Sequence, residues 1–182
     1  SSRLLAAGFE VTVWNRNPEK TKVPKQHGAN VASSIAELCE CADIIMLCVS
    51  DAHAVKAVMQ SPGGVLENLS RGKVIIDFSS IDPETTRALA KEVSMKDCDW
   101  IDSPVSGGVA GAEQGTLAIM VGGELPVVER VRPLLEPLSQ RITHMGSVGA
   151  GQVSKICNQM IVSCNVLVMA EVMALAEKAG VE

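Results

Sequence analysis

The 182 residues suffice for one domain and part of a second, and a hydrophobic content of 47% is ample for a core. A formal net charge of -5 and a pI near 5.3, with no basic tract, argue against a nucleic-acid binder. Tyrosine is absent and aromatics make up 2%, so base-stacking platforms are not expected either.

The opening Ser1–Gly8 reads as the end of a helix with a glycine after it. It shows no signal-peptide pattern. Val11–Trp14 follows as a strand and Pro18–His27 as a short helix. Ser33–Cys41 suits another helix, and Ile44–Val49 is an apolar run of strand length. Asp51 is placed to cap a helix that turns Val55, Val58 and Met59 to one face. Val74–Phe78 is a further buried strand, and Asp82-Pro83 is a helix start. Trp100–Asp102 and Leu117–Val121 read as strands, Pro126–Leu138 as a helix, and Ile142–Met145 as a last strand. Continuous apolar strands between amphipathic helices predict a doubly wound α/β domain, with a parallel sheet covered on both faces.

From Gln152 to Ala179 there is neither Pro nor Gly. One helix of about 28 residues, on the order of 40 Å long, fits this stretch. It is apolar almost all round, so it is expected to be buried. Within it the apolar run Ile156–Ala170 is too short, and too often interrupted by polar residues, for a membrane span. The expected division is residues 1–147 as the α/β domain and 148–182 as the start of a helical domain. A dinucleotide-binding domain should open with a strand and a glycine-rich turn. The sequence shows neither, so it is expected to be a piece cut at both ends.

The cysteines at 39, 41, 48, 98, 157 and 164 fit neither zinc nor CxxC spacing, and are expected to be small buried apolar residues in a reducing cytosol. His27, His53 and His144 are scattered without partners at ligand spacing, so no metal site is expected.

In open α/β sheets ligands bind at the carboxyl ends of strands. That singles out Asn15-Arg16, Val49-Ser50-Asp51, Ser79-Ser80 and Ser103–Gly108, although polar loops after strands need no ligand. The residue most at odds with its surroundings is Lys155, near the start of the apolar helix. Desolvation lowers a lysine's pKa, and such a lysine can exchange protons near neutrality. Asn158 and Gln159 share its face. A lysine reaching to solvent beside exposed amides explains the pattern equally well. Gly107 and Gly108 allow backbone N–H groups to approach a carboxylate, with Ser106 as a further donor, although an ordinary glycine turn would look the same. Arg16, where an acidic residue would bind a ribose 2′-hydroxyl, favours NADP(H), with NAD(H) left open.

The segment Asp102–Gly123, DSPVSGGVAGAEQGTLAIMVGG, closely resembles the substrate-binding signature of the β-hydroxyacid dehydrogenase family. Gly146–Gln159, GSVGAGQVSKICNQ, resembles its catalytic segment, and VTVWNRNPEK and DFSSIDP its cofactor side. The resemblance implies a Rossmann-type fold and an NAD(P)-dependent oxidoreductase that interconverts a short β-hydroxy acid and its semialdehyde. It implies Lys155 as general acid/base, Asn158 as the substrate-orienting amide and Ser106, Gly107 and Gly108 as the carboxylate loop. Val49, Ser50 and Ser80 are then at the nicotinamide half, and Asn15 and Arg16 at the adenosine end. Gln159 stands where the family often has Asn, and is similar to tartronate semialdehyde reductases. The resemblance also implies a homo-oligomer in the cytosol or an organelle matrix. A 6-phosphogluconate-dehydrogenase-like enzyme would need basic residues in the substrate loop, which has none. A dehydrogenase-like interaction module without catalysis would typically lack the lysine, which is present.

Overall fold

The structure is a computed structural model and describes residues 1–181. Helix α1 (Ser2–Ala6) leads to a parallel pair, β1 (Thr12–Val13) and β2 (Asn30–Val31). Between these strands lie the 3₁₀ turn Pro18–Thr21 and α2 (Lys22–Gln26). The main sheet takes β3 (Ile44–Leu47), β4 (Val74–Asp77), β5 (Asp99–Asp102), β6 (Val105–Ser106), β7 (Leu117–Gly122) and β8 (Ser139–Gly146). Strands β3, β4 and β5 are parallel, in the register Leu47–Asp77–Asp102.

Helix starts follow the caps in the sequence. Asp51 accepts a hydrogen bond from Ala54 N–H at the head of α4 (Ala52–Gln60). Asp82 accepts one from Thr85 N–H at the head of α6 (Pro83–Ser94), with Pro83 in the first turn. Ser34 caps α3 (Ile35–Cys41) in the same way. The short α5 (Val65–Asn68) precedes β4, and α8 (Leu125–Leu135) joins β7 to β8. Each satisfied cap is worth about 1 kcal/mol.

The two faces of the sheet bury separate cores. Ile45, Leu47, Ile75 and Trp100 pack with Val55, Met59, Leu89 and Val93 of α4 and α6. Val74, Ile76, Ile101, Ile119 and Val121 pack with Val128, Val131 and Leu135 of α8.

The structure corrects three expectations. First, the sheet is mixed: β7 runs antiparallel to β5 and β6, and only β8 runs parallel to β7. The glycine-rich stretch that resembled a loop contains α7 (Gly108–Gln114), which turns the chain back against β5. Second, the long helix α9 (Ala150–Lys178) forms as expected but is not buried. Only Gly151 and Gln152 in it are buried, whereas Ile161, Leu167, Met169 and Met173 are more than 60% exposed. After its first turns α9 runs past the sheet, so its apolar surface finds no cover among the described residues. As a whole α9, unlike the run Ile156–Ala170, has the length and composition of a membrane-crossing helix. Third, Cys39 and Cys98 are buried, but Cys41, Cys48, Cys157 and Cys164 are exposed, because the surfaces they occupy are uncovered.

Candidate active site

The carboxyl ends of β3 and β4 and the first turns of α9 enclose a groove of about 730 Å³. One wall holds Asp51, Ala52, Ser80, Ile81 and Asp82. The other is α9, with Gln152, Lys155, Ile156, Gln159, Met160, Ser163 and Cys164. The structure therefore brings Ser80, Lys155 and Gln159 together. Lys155 is half-buried, and burial draws its ammonium below the ordinary lysine range.

The other predicted residues lie outside the groove's lining. Asn158 is half-buried one turn beyond Lys155, and its Nδ2 donates to Gln159 Oε1 at 3.4 Å. Val49 N–H donates to Ser79 Oγ at 3.0 Å, which fixes the loop after β3. Ser50 is exposed, and its hydroxyl donates to Asp51 Oδ2 at 2.9 Å. Ser106 lies in β6, opposite Ala118 of β7. Gly107 and Gly108 follow with φ of 134° and 63°, a pair of conformations that suits glycine. At the end of β1, Asn15 Oδ1 accepts from Asn17 N–H at 2.9 Å, while Arg16 is exposed and forms no ion pair among the described residues. His27 and His144 make ring-nitrogen bonds to the carbonyls of Val23 and Gly123, and no group of metal-ligating side chains occurs among the described residues.

Three buried residues at the groove were assigned no site role from the sequence, although Gln152 shares the polar stripe of Lys155. Asp102 is fully buried at the end of β5. Its Oδ1 accepts from Gly149 N–H at 2.7 Å and its Oδ2 from Gln152 N–H at 2.9 Å. A carboxylate from a distant strand thus caps α9, where the helix dipole favours negative charge. Burial nevertheless pushes its pKa up, against the pull of those N–H bonds. Helix and strand meet closely: a Cβ on Gly151 would collide with Met120 O and the Asp102 carboxylate. Gln152 is itself fully buried. Its Nε2 donates to Ser79 O at 2.8 Å, and its Oε1 accepts from Ile81 N–H at 3.2 Å. Asp77, at the end of β4, accepts from Ser79 N–H at 2.9 Å and is pushed up to about 6, chiefly by burial. Its Oδ2 has no hydrogen-bond partner among the described residues. A signal for these residues is present in the sequence, since two buried strands each end on an aspartate, and a buried carboxylate requires donors.

Of the donors that the sequence suggested, the groove holds the Ser80 hydroxyl with the Lys155 ammonium opposite, while the Ser50 hydroxyl and the Arg16 guanidinium are exposed outside its lining, after β3 and β1. Residues 1–146 match the family described as the NAD binding domain of 6-phosphogluconate dehydrogenase. Residues 149–182, which include α9, match the NAD-binding domain of NADP-dependent 3-hydroxyisobutyrate dehydrogenase. The chain belongs to the β-hydroxyacid dehydrogenase family.

Among its relatives is the 2-hydroxy-3-oxopropionate reductase of Escherichia coli, 41% identical over 98% of this chain and 61% of that protein. A 3-hydroxyisobutyrate dehydrogenase of Mycobacterium tuberculosis, solved with L-serine, superimposes with a TM-score of 0.94. It is 33% identical, over all of this chain and 61% of its own. A further solved structure, Psf3 in complex with NADP+ and 2-OPP, has a TM-score of 0.92 and 34% identity, and covers all of this chain and 64% of its own. The chain thus spans about three fifths of the length of the relatives it matches. The mixed, mainly parallel sheet followed by a helical segment is the Rossmann-type arrangement expected of the family.

Proposed function

We propose that the protein is an NAD(P)-dependent oxidoreductase that interconverts a short β-hydroxy acid and its semialdehyde, with Lys155 as general acid/base. The observation that carries this reading is the groove in which a desolvated lysine faces Ser80 across the carboxyl ends of β3 and β4. We assign residues 1–147 to cofactor binding and residues from 148 onward to a helical substrate and assembly domain. The last residue of that range, Glu182, lies outside the described residues.

The nicotinamide cofactor, when bound, supplies or accepts the hydride. In the reducing direction Lys155 donates a proton from its Nζ to the developing alkoxide oxygen, and in the oxidising direction it takes that proton back. Asn158 hydrogen-bonds the same oxygen or its neighbour. Ser106, Gly107 and Gly108 hold the substrate carboxylate, which orients the reacting carbon. Val49, Ser50 and Ser80 cradle the nicotinamide half, and Asn15 and Arg16 the adenosine end. A guanidinium without an ion pair at that end favours NADP(H) over NAD(H). Gln159, in the groove beside Lys155, inclines the substrate towards tartronate semialdehyde.

The exposed apolar surface of α9 supports a homo-oligomeric assembly. Its match to a dehydrogenase domain supports a protein surface, not lipid, as its cover. The free cysteines support a reducing compartment, the cytosol or an organelle matrix.

The test is turnover of tartronate, methylmalonate and succinic semialdehydes and glyoxylate by the full-length protein, each with NADPH and NADH. Oxidation of cofactor by one of them, reduced at least about a hundredfold in Lys155→Ala, is the expected result. A folded protein inert to the whole panel would favour a binding module instead.

A further inference from the structure

We infer that Gln152 is a positioning residue, which locks the first turn of α9 to the backbone on either side of Ser80 and so fixes Lys155 across the groove. The inference rests on the proposed role of Lys155. Gln152 borders the groove but is only 1% exposed, so its side chain is turned to the protein and not to a ligand. Both ends of its amide are bonded to the β4 loop: Nε2 donates to Ser79 O at 2.8 Å, and Oε1 accepts from Ile81 N–H at 3.2 Å. The residue held between these two bonds is Ser80, which is exposed and lines the groove.

The backbone of Gln152 is fixed independently, by the bond from its N–H to Asp102 Oδ2 at 2.9 Å. The side chain therefore extends from an anchored point. Lys155 follows at i+3, on the same side of the helix and about 4.5 Å further along its axis. Helix, loop and strand are thus tied to one another by a buried group whose bonds are worth most in a low-dielectric interior. Ser79 extends the tie, since its Oγ accepts from Val49 N–H and its N–H donates to Asp77 Oδ1. The loops after β3 and β4 consequently move with the first turn of α9, and the distance from the lysine to either loop is set by Gln152. Without the clamp, the turn and the Ser79–Ile81 backbone would separate, and more water would reach the half-buried Lys155 ammonium.

The test uses the full-length protein and the variants Gln152→Met and Gln152→Leu, which fill the space but make neither bond. Competitive acetylation of lysines with limiting acetic anhydride, read by peptide mass over a pH series, titrates Lys155 without needing turnover. In the parent protein Lys155 should titrate below the other lysines. In a folded Gln152 variant it should move up towards them. Where one semialdehyde is turned over, kcat should fall at least about tenfold with little change in the KM for cofactor.

A folded variant with the parent's Lys155 titration and kcat overturns the inference. So does a variant that only melts earlier, with titration and kcat unchanged in the folded protein, or a failure of both variants to fold, since Gln152 is then merely structural. Lys155→Ala is measured alongside. If it retains turnover, the catalytic reading fails. If it is inactive while Gln152→Met is normal, only the positioning inference fails.

Discussion

The buried carboxyl groups of Asp77 and Asp102 lie side by side in the sheet register and face the same core. For Asp77 the cost of burial exceeds the help of one Ser79 N–H, and its pKa is pushed up to about 6. An unfolded aspartate releases its proton near pH 4. Between those values the folded chain binds more protons than the unfolded one, so this group's contribution to stability is lost as pH rises from about 4 through about 6. Asp77→Asn keeps an acceptor for Ser79 N–H and removes the buried charge. It should raise stability by ~2 kcal/mol at pH 7.5 and change little at pH 4, as thermal melts at the two values would read. A rise of equal size at both would assign the effect to packing. Lys155 shows the opposite case, in which burial favours the neutral amine. If Lys155 is the acid/base proposed above, the reducing direction, which would then need the ammonium, should lose rate as pH rises through the lowered pKa, and the oxidising direction, which would need the free amine, should gain rate over the same interval. Initial rates measured in both directions across pH would show opposed limbs, and parallel limbs would assign the titration to another group.

At the scale of the element, α9 depends on a carboxylate it does not contain. Asp102 supplies acceptors to Gly149 and Gln152 N–H, and the close approach of Gly151 to β7 leaves no room for water to replace them. Asp102→Ala should therefore strand two buried donors and cost about 3 kcal/mol, while Asp102→Asn, which keeps one acceptor, should cost about half as much. Denaturant melts of the two variants would give that order, and equal costs would assign the loss to the charge. The sequence made the helix starts legible because capping is local: Asp51, Asp82 and Pro83 act within three residues of their own position. Strands β3, β4 and β5 were legible for the same reason, as short apolar runs. The cap on α9 was not, because Asp102 lies 47 positions from Gly149. Nor was the reversal of β7, since glycines at 108 and 111 carry poor helix propensity and those at 107 and 115 flank α7, where Leu117 lies close to Gly107 and Gly111. The groove was legible only in part. Gln152, Lys155, Asn158 and Gln159 stood out as one polar stripe on an apolar helix, but the bonds of Gln152 run to backbone atoms, which leave no trace in residue type.

For the whole molecule, the balance of surfaces is set by α9. Hydropathy alone predicted that this helix is buried, but among the described residues nothing covers it beyond its first turns. Val166, Met169 and Met173 are each more than 60% exposed, and their spacing of three and four places them on one face. An exposed apolar stripe of this length marks an interaction surface. The 182-residue chain alone should therefore self-associate, reversibly and more strongly as concentration rises, because association buries surface that folding leaves in water. Replacing Val166, Met169 and Met173 together by Glu should shift it to the monomer. The melting temperature should change little, because those side chains are exposed in the fold. Light scattering after gel filtration, over a concentration series, reads both effects. If the triple variant still associates, the contact lies elsewhere, and α9 must then be covered by a different partner. If the variant is monomeric but melts far earlier, those side chains stabilise the folded chain itself, and the exposed face of α9 is not the free surface described above.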